Sequence, residues 1–278
     1  MWRPLLVIRA RWLGLRGESE RLAGRYDEAE RLVREALRVA ERAGVDDLLQ
    51  ATLLNSLGMI HKYQARFAEG ARAYLRGLRL ARRRFGPDHA VLASFYHNLG
   101  GLEHARGRYA RGEPFARRGL ALRERALGPD HPDVARDAAA LAGILDGRGQ
   151  HAEAEALHRR ALATFERRFA PEHREIAYTL ENLAACCHLQ GRSAEAEPMA
   201  RRALAMKEKL LGASHPDVGL ALANLGVIQE ALGRTPEAEA SFRRALRVLE
   251  ASLGATHPAT VACRESSAQL ASGVSPRR

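Results

Sequence analysis

The chain of 278 residues is 46% apolar but only 5% aromatic, and its 44 basic side chains against 33 acidic ones give a formal charge of +11. Such a composition supplies a buried core and, being rich in Ala, Leu, Arg and Glu, favours long helices over sheets. Three cysteines with no CxxC pair argue against a disulfide framework or a zinc site, and no apolar run approaches the ~18 residues of a membrane span.

The opening MWRPLLVIRARW is broken by Arg9 and Arg11, so its apolar run is too short for a signal peptide. A reducing cytoplasm is the expected location, with no membrane partner. Only Lys62, Lys207 and Lys209 are lysines. An arginine bias of this kind follows from a GC-rich genome as readily as from a polyanionic partner.

From Leu15 to Gly44 the chain reads loosely as a first helix pair, and from residue 48 onward it repeats at 42. His89, His131, His173, His215 and His257 hold that interval without a slip, each in a loop phrase such as LGPDHPDVA. A fixed period of 20 to 50 residues marks a repeat protein in which each unit contacts its neighbours. In the five units from residue 48 on, a Leu-Gly or Leu-Ala pair, for example Leu99-Gly100 or Leu183-Ala184, precedes a Gly-Arg-like turn such as Gly107-Arg108 or Gly191-Arg192. Small residues follow the turn, as at Ala196 and Ala203.

Each unit is therefore predicted to be two helices. The first starts at the loop proline, Pro132 or Pro216, a residue suited to the first helical position, with Asp133 or Asp217 in the first turn where the helix dipole favours an acid. The second is predicted to end at a glycine such as Gly128, Gly212 or Gly254. In the fourth unit the first helix carries Gly143 and Gly147, which predicts a weak layer there.

These positions resemble the tetratricopeptide repeat in its 42-residue, kinesin-light-chain-like form. The resemblance rests on Leu-Gly/Ala, then GRYARGEP at 107–114 and GRSAEAEP at 191–198, then Arg-Arg-Ala-Leu and Gly-Pro-Asp-His-Pro, and it covers roughly residues 48–262. It implies an all-α fold, a right-handed α-solenoid of about six repeats with a C-terminal capping helix. The expected divisions are a capping unit at 1–47, five repeats at 48–257, a capping helix at 258–271 and a loose tail at 272–278. Arg16 and Ser267 stand where other units have leucine, as in terminal units that face water.

No catalytic constellation is visible: the chain has no phosphate-cradling glycine loop, HExxH or GxSxG motif. Cys186, Cys187 and nearby His188 suggest a thiol nucleophile, but adjacent helical residues point about 100° apart and no orienting third group is apparent. The five loop histidines lie one helix layer apart, on the order of 10 Å, too far for a shared metal, and are expected to cap helices. Neither a cofactor nor a metal is expected, and the protein is not expected to be an enzyme.

Arg117-Arg118, Arg159-Arg160, Arg201-Arg202 and Arg243-Arg244 form a basic stripe along the second helices. Read one way, it is a phosphate ladder for nucleic acid. Glu113, Glu155, Glu197 and Glu239 each precede an arginine of the stripe by four residues, the favourable order for a helix-surface ion pair.

The resemblance also implies that the first helices line a concave groove. There Asn98, Asn182 and Asn224 occupy the position from which family asparagines hold the backbone of an extended peptide, while Ala140 lacks the function. Asn55, Lys62, His97, Arg136 and Tyr178 are the neighbouring groove candidates. The expected role is a non-catalytic scaffold for a peptide segment or partner protein. The alternatives are a nucleic-acid-binding repeat and the sensor module of a larger assembly.

Overall fold

The computed structural model describes residues 3–45 and 47–272. The tail expected at 272–278 lies outside the described residues, except Ser272, which closes the last helix. Every regular element among the described residues is a helix, and the fold is an all-α solenoid of helix pairs. The chain divides into two compact units, 1–148 and 149–278.

The first unit holds α1 (Arg3–Leu22), α2 (Tyr26–Arg42), α3 (Asp47–Tyr63), α4 (Phe67–Phe85), α5 (Leu92–Ala105), α6 (Tyr109–Leu127) and α7 (Pro132–Asp146). The second holds α8 (His151–Arg168), α9 (Arg174–Leu189), α10 (Ser193–Leu211), α11 (Pro216–Ala231), α12 (Thr235–Leu253) and α13 (Pro258–Ser272). Within the first unit the backbones of α1, α3, α5 and α7 approach in succession, whereas those of α2, α4 and α6 stay apart and long side chains such as Arg76 to Glu41 bridge α2 and α4. In the second unit the backbones of α9, α11 and α13 likewise approach, while those of α10 and α12 do not. The first helix of each pair therefore lies in an inner layer and the second in an outer one.

Small residues let each pair close. A β-carbon at Gly58 would lie 2.4 Å from the ring of Tyr74, and one at Gly226 would lie 2.9 Å from the ring of Phe242. Where the first helix carries Ala184 instead of glycine, the register places the smaller Ala200 opposite, and both are buried. Gly100 faces Ala116 in the same way, and in each unit at least one small residue at this contact lets the helix axes approach closely.

The loop histidines close the other end of each inner helix. Nδ1 of His131, His173 and His215 accepts a hydrogen bond from the backbone N–H two residues on, at 3.1–3.2 Å. His89 and His257 make the same bond to Val91 and Ala259, each at 3.2 Å. His173 also stacks on Phe169 at 3.9 Å between ring centroids. The interval of 42 is thus a repeated capping bond, in which His131, His173 and His215 are N-caps while His89 sits two residues before Val91, the N-cap of the helix at Leu92–Ala105. Replacing His173 with alanine is expected to lower stability by about 1 kcal/mol, and asparagine should recover most of it, since either loss or retention of the cap acceptor decides the result. Chemical denaturation of the three proteins checks this; equal midpoints for alanine and histidine would contradict it.

The two glycines behind the expected weak layer at α7 differ in position. Gly143 is interior, and a β-carbon there would meet only His104 Nε2 at 3.6 Å, so packing does not demand glycine. Gly147 is the C-cap of α7 rather than an interior residue, and a β-carbon there would press on the Tyr109 ring at 2.5 Å. One unfavourable glycine remains, costing ~0.8–1 kcal/mol, so Gly143→Ala should slow amide exchange in α7 about four- to fivefold. Unchanged exchange rates would mean that another helix limits the opening.

Candidate functional site

The inner layer presents polar side chains at the same register in both units. Asn98 Nδ2 donates to Asn55 Oδ1 at 2.9 Å across 43 residues, and Asn224 Nδ2 donates to Glu181 Oε1 at 3.4 Å across the same separation. Each bond ties one inner helix to the previous one. It uses one amide proton of the later asparagine and leaves its carbonyl oxygen available; Asn55 likewise keeps its N–H donors. Asn182 stands at the same position on α9 and is exposed.

In the first unit Asn55, His97, Asn98 and Arg136 meet around one pocket of about 270 Å³, together with Ser94 and Arg123. Its floor is charged. Asp137 is buried, accepts from Arg123 Nε at 2.6 Å and lies 2.8 Å from His97 Nδ1. Arg136 pairs with Asp133 on its own helix. Lys62 does not line this pocket. It is half-buried near Gly101 and His104, and burial lowers its pKa. Burial and the Lys62 charge together also lower that of His104.

In the second unit Tyr178 donates its hydroxyl to Asp217, and burial together with this bond pushes its pKa up to about 12. Lys207, buried at 2% exposure, forms an ion pair with Glu181 and places its ammonium 4.7 Å from the centre of the Tyr178 ring. Beside them lies a pocket of about 450 Å³ walled by Ala177, Tyr178, Lys207, Leu210 and Leu211, with Arg174 at its edge.

Sequence reasoning missed Arg123, Asp137, Glu181 and Lys207. A signal was present for two of them. The outer-helix register runs Ala81, Arg123, Phe165, Lys207, Leu249, and its apolar members are fully buried. A charge in that row must find a partner on the inner helix, because an unpaired buried charge is costly. Asp137 and Glu181 are those partners.

Most of the basic stripe is committed elsewhere, although the pair expected between Glu239 and Arg243 does not form and Arg243 is exposed. Glu113, Glu155 and Glu197 bind Arg117, Arg159 and Arg201 four residues on. The same carboxylates also bind a turn arginine of the next repeat: Arg148, Arg192 and Arg234 respectively. Glu30 repeats the pattern with Arg34 and Arg66, and His61 Nε2 lies 3.2 Å from it. The second arginines of the stripe are also paired, Arg118 with Asp88, Arg202 with Glu166 and Arg244 with Glu208.

Burial raises the Glu30 and Glu155 carboxyls, but hydrogen bonds overrule it and hold both at about 2, from Arg34 and His61 for Glu30 and from Gln190, Arg192 and Arg159 for Glu155. A carboxyl whose pKa falls on folding stabilises the fold above its unfolded value and loses that contribution as pH drops through the folded one. Each is expected to cost roughly 1–3 kcal/mol between pH ~4.5 and ~2. Denaturation midpoints measured along that range should fall, and less steeply for Glu155→Gln. Parallel curves would remove this carboxylate from the acid response.

The cysteines are not poised for chemistry. Cys186 Sγ donates to the His151 carbonyl at 3.3 Å, and burial pushes the Cys187 thiol up. A reactive thiolate needs the opposite shift.

The tetratricopeptide-repeat signature matches residues 8–83, 49–111, 91–167, 138–209 and 175–251. No protein of curated function matches the chain. Among solved structures, BtubC (BKLC) from P. vanneervenii is similar, with 25% identity, a TM-score of 0.68, and coverage of 92% of this chain and 95% of that one. A putative kinesin light chain from Podosopora anserina shares the fold at 18% identity and a TM-score of 0.60, covering 72% of this chain and 95% of its own. The apo quorum sensor NprR from B. thuringiensis shares it at 12% identity and a TM-score of 0.71, covering 98% and 72%. With five overlapping matches along most of its length and the helix pairs they call for, the chain belongs to the tetratricopeptide-repeat family.

Proposed function

We propose that the protein is a non-catalytic scaffold that binds an extended peptide segment of a partner protein along its inner helices. The observation that carries this reading is the repeated asparagine register of Asn98 and Asn224, each tied to the preceding inner helix with an amide oxygen left over. An extended strand offers N–H and C=O groups at regular intervals, and asparagine oxygens and amide protons can serve both. Asn182 continues that register, and Asn55, His97 and Arg136 supply side-chain contacts beside it. Similarity to a quorum sensor agrees with a ligand-receiving repeat array.

Nucleic acid is the weaker reading, because Arg118, Arg202 and Arg244 already hold carboxylates. Affinity capture with the full chain, with and without nuclease, separates the two. A protein partner that survives nuclease and 0.5 M salt supports the scaffold. Captured nucleic acid that is released by salt overturns it.

A further inference from the structure

Helix α1 carries apolar side chains on two sides. On its inward side Ala10 and Leu13 are buried. On its outward side Leu5, Ile8, Trp12 and Leu15 are 60%, 62%, 53% and 72% exposed. At 100° per residue these four fall within one stripe about 80° wide. Among the described residues only α2 and α3 pack against α1, so the stripe is uncovered. The expectation that the first unit meets water through Arg16 accounts for one residue and overlooks its neighbours.

The borders of the stripe are basic. Arg11 flanks one side, Arg9 and Arg16 the other, and all three are exposed. The Arg16 guanidinium lies 4.9 Å from the centre of the Trp12 ring. No acid occurs before Glu18. A second copy of the chain packed on this face would therefore set arginine against arginine. A planar anionic surface meets the same arginines with opposite charge and needs no preformed groove for a convex ridge. Tryptophan and leucine on one face with arginines beside them is the pattern of a helix that lies in a lipid interface.

We propose that the outer face of α1 docks the protein onto anionic lipid bilayers, with the leucine, isoleucine and tryptophan side chains entering the headgroup boundary and Arg11 and Arg16 meeting lipid phosphates. None of the described helices is long and apolar enough to cross a membrane, so the helix lies along the surface. The earlier expectation of no membrane partner rested on the lack of a spanning segment and does not bear on this mode.

The two tryptophans of the chain are Trp2 and Trp12, so intrinsic tryptophan emission reports on this segment alone. The full chain is mixed with vesicles of phosphatidylglycerol and phosphatidylcholine, or of phosphatidylcholine only, and followed by emission and co-sedimentation. Blue-shifted emission and sedimentation with the anionic vesicles only are expected. The charge-preserving change Ile8→Gln/Leu15→Gln, on side chains that touch water, should weaken binding on the order of tenfold or more. Arg11→Gln/Arg16→Gln should weaken it and reduce its salt dependence. Binding that ignores Ile8→Gln/Leu15→Gln would come from the +11 charge at large and overturn the proposal. A blue shift that grows with protein concentration without lipid would assign the face to a second copy, and failure to bind any vesicle would also overturn it.

Discussion

Glu181→Gln is expected to lower the stability of the second unit by about 3 kcal/mol. Lys207 is the reason: its side chain is 2% exposed and that of Glu181 only 15%, so deleting the carboxylate charge strands an ammonium in a site from which water is largely excluded. Breaking such a pair from one side typically costs 3–5 kcal/mol, and the partial solvation of Glu181 places this case at the low end. The Tyr178 ring face compensates only partly, because a cation–π contact supplies ~0.5–2 kcal/mol. Lys207→Met removes the buried charge, so the double variant Lys207→Met/Glu181→Gln should regain most of the loss. Urea denaturation of the wild type, both single variants and the double variant gives the coupling. Additive losses would show that the pair is not what holds α9 to α10.

Asn182→Ala/Asn224→Ala is expected to weaken binding of the captured partner by ten- to a hundredfold. Two asparagines that each serve the peptide backbone contribute roughly 0.5–1.5 kcal/mol per net hydrogen bond, and four bonds at the modest end of that range give about 2 kcal/mol, roughly thirtyfold. Both side chains are exposed, so helicity should stay native. The Asn224 bond to Glu181 is long at 3.4 Å, so its loss should not disturb the Lys207 pair. Replacing Arg118, Arg160, Arg202 and Arg244 should scarcely change affinity in the scaffold reading. A dominant arginine effect whose log affinity falls steeply with log salt, with silent asparagines, would refute the peptide groove.

Much of the architecture could be read from the residues because repetition exposes it. His131 is ambiguous alone, but five histidines at one interval, each before a helix, reduce the choices to a cap or a coincidence. Gly58 and Gly226 were legible for the same reason, since only a close approach explains a small residue at that register in every unit. The polar cluster was harder. Asn98 and Asn182 share a register position, yet nothing local says that Asn98 reaches back to Asn55 while Asn182 stands exposed. Arg123 passed as part of a general arginine excess and Lys207 only as one of three lysines; that Lys207 is buried and Arg123 half-buried depends on which face of the outer helix packs inward, a tertiary fact. The α1 stripe was obscured similarly, because an apolar helix in a core and one with an uncovered face have the same composition.

The glutamate that bridges its own arginine and the next turn has a consequence for growth of the array. Residues 192–233 span one period, beginning with Arg192 and containing Glu197, and Glu197 in turn holds Arg234. Were that segment copied in tandem, the original Glu197 would meet the copied Arg192, and the copied Glu197 would meet Arg234. No charge would be orphaned at either junction. The connector is carried half at the start and half inside each period, so a duplication that keeps the frame of 42 comes with its joints already matched, whereas one that misses the frame by a few residues leaves a buried carboxylate facing no guanidinium.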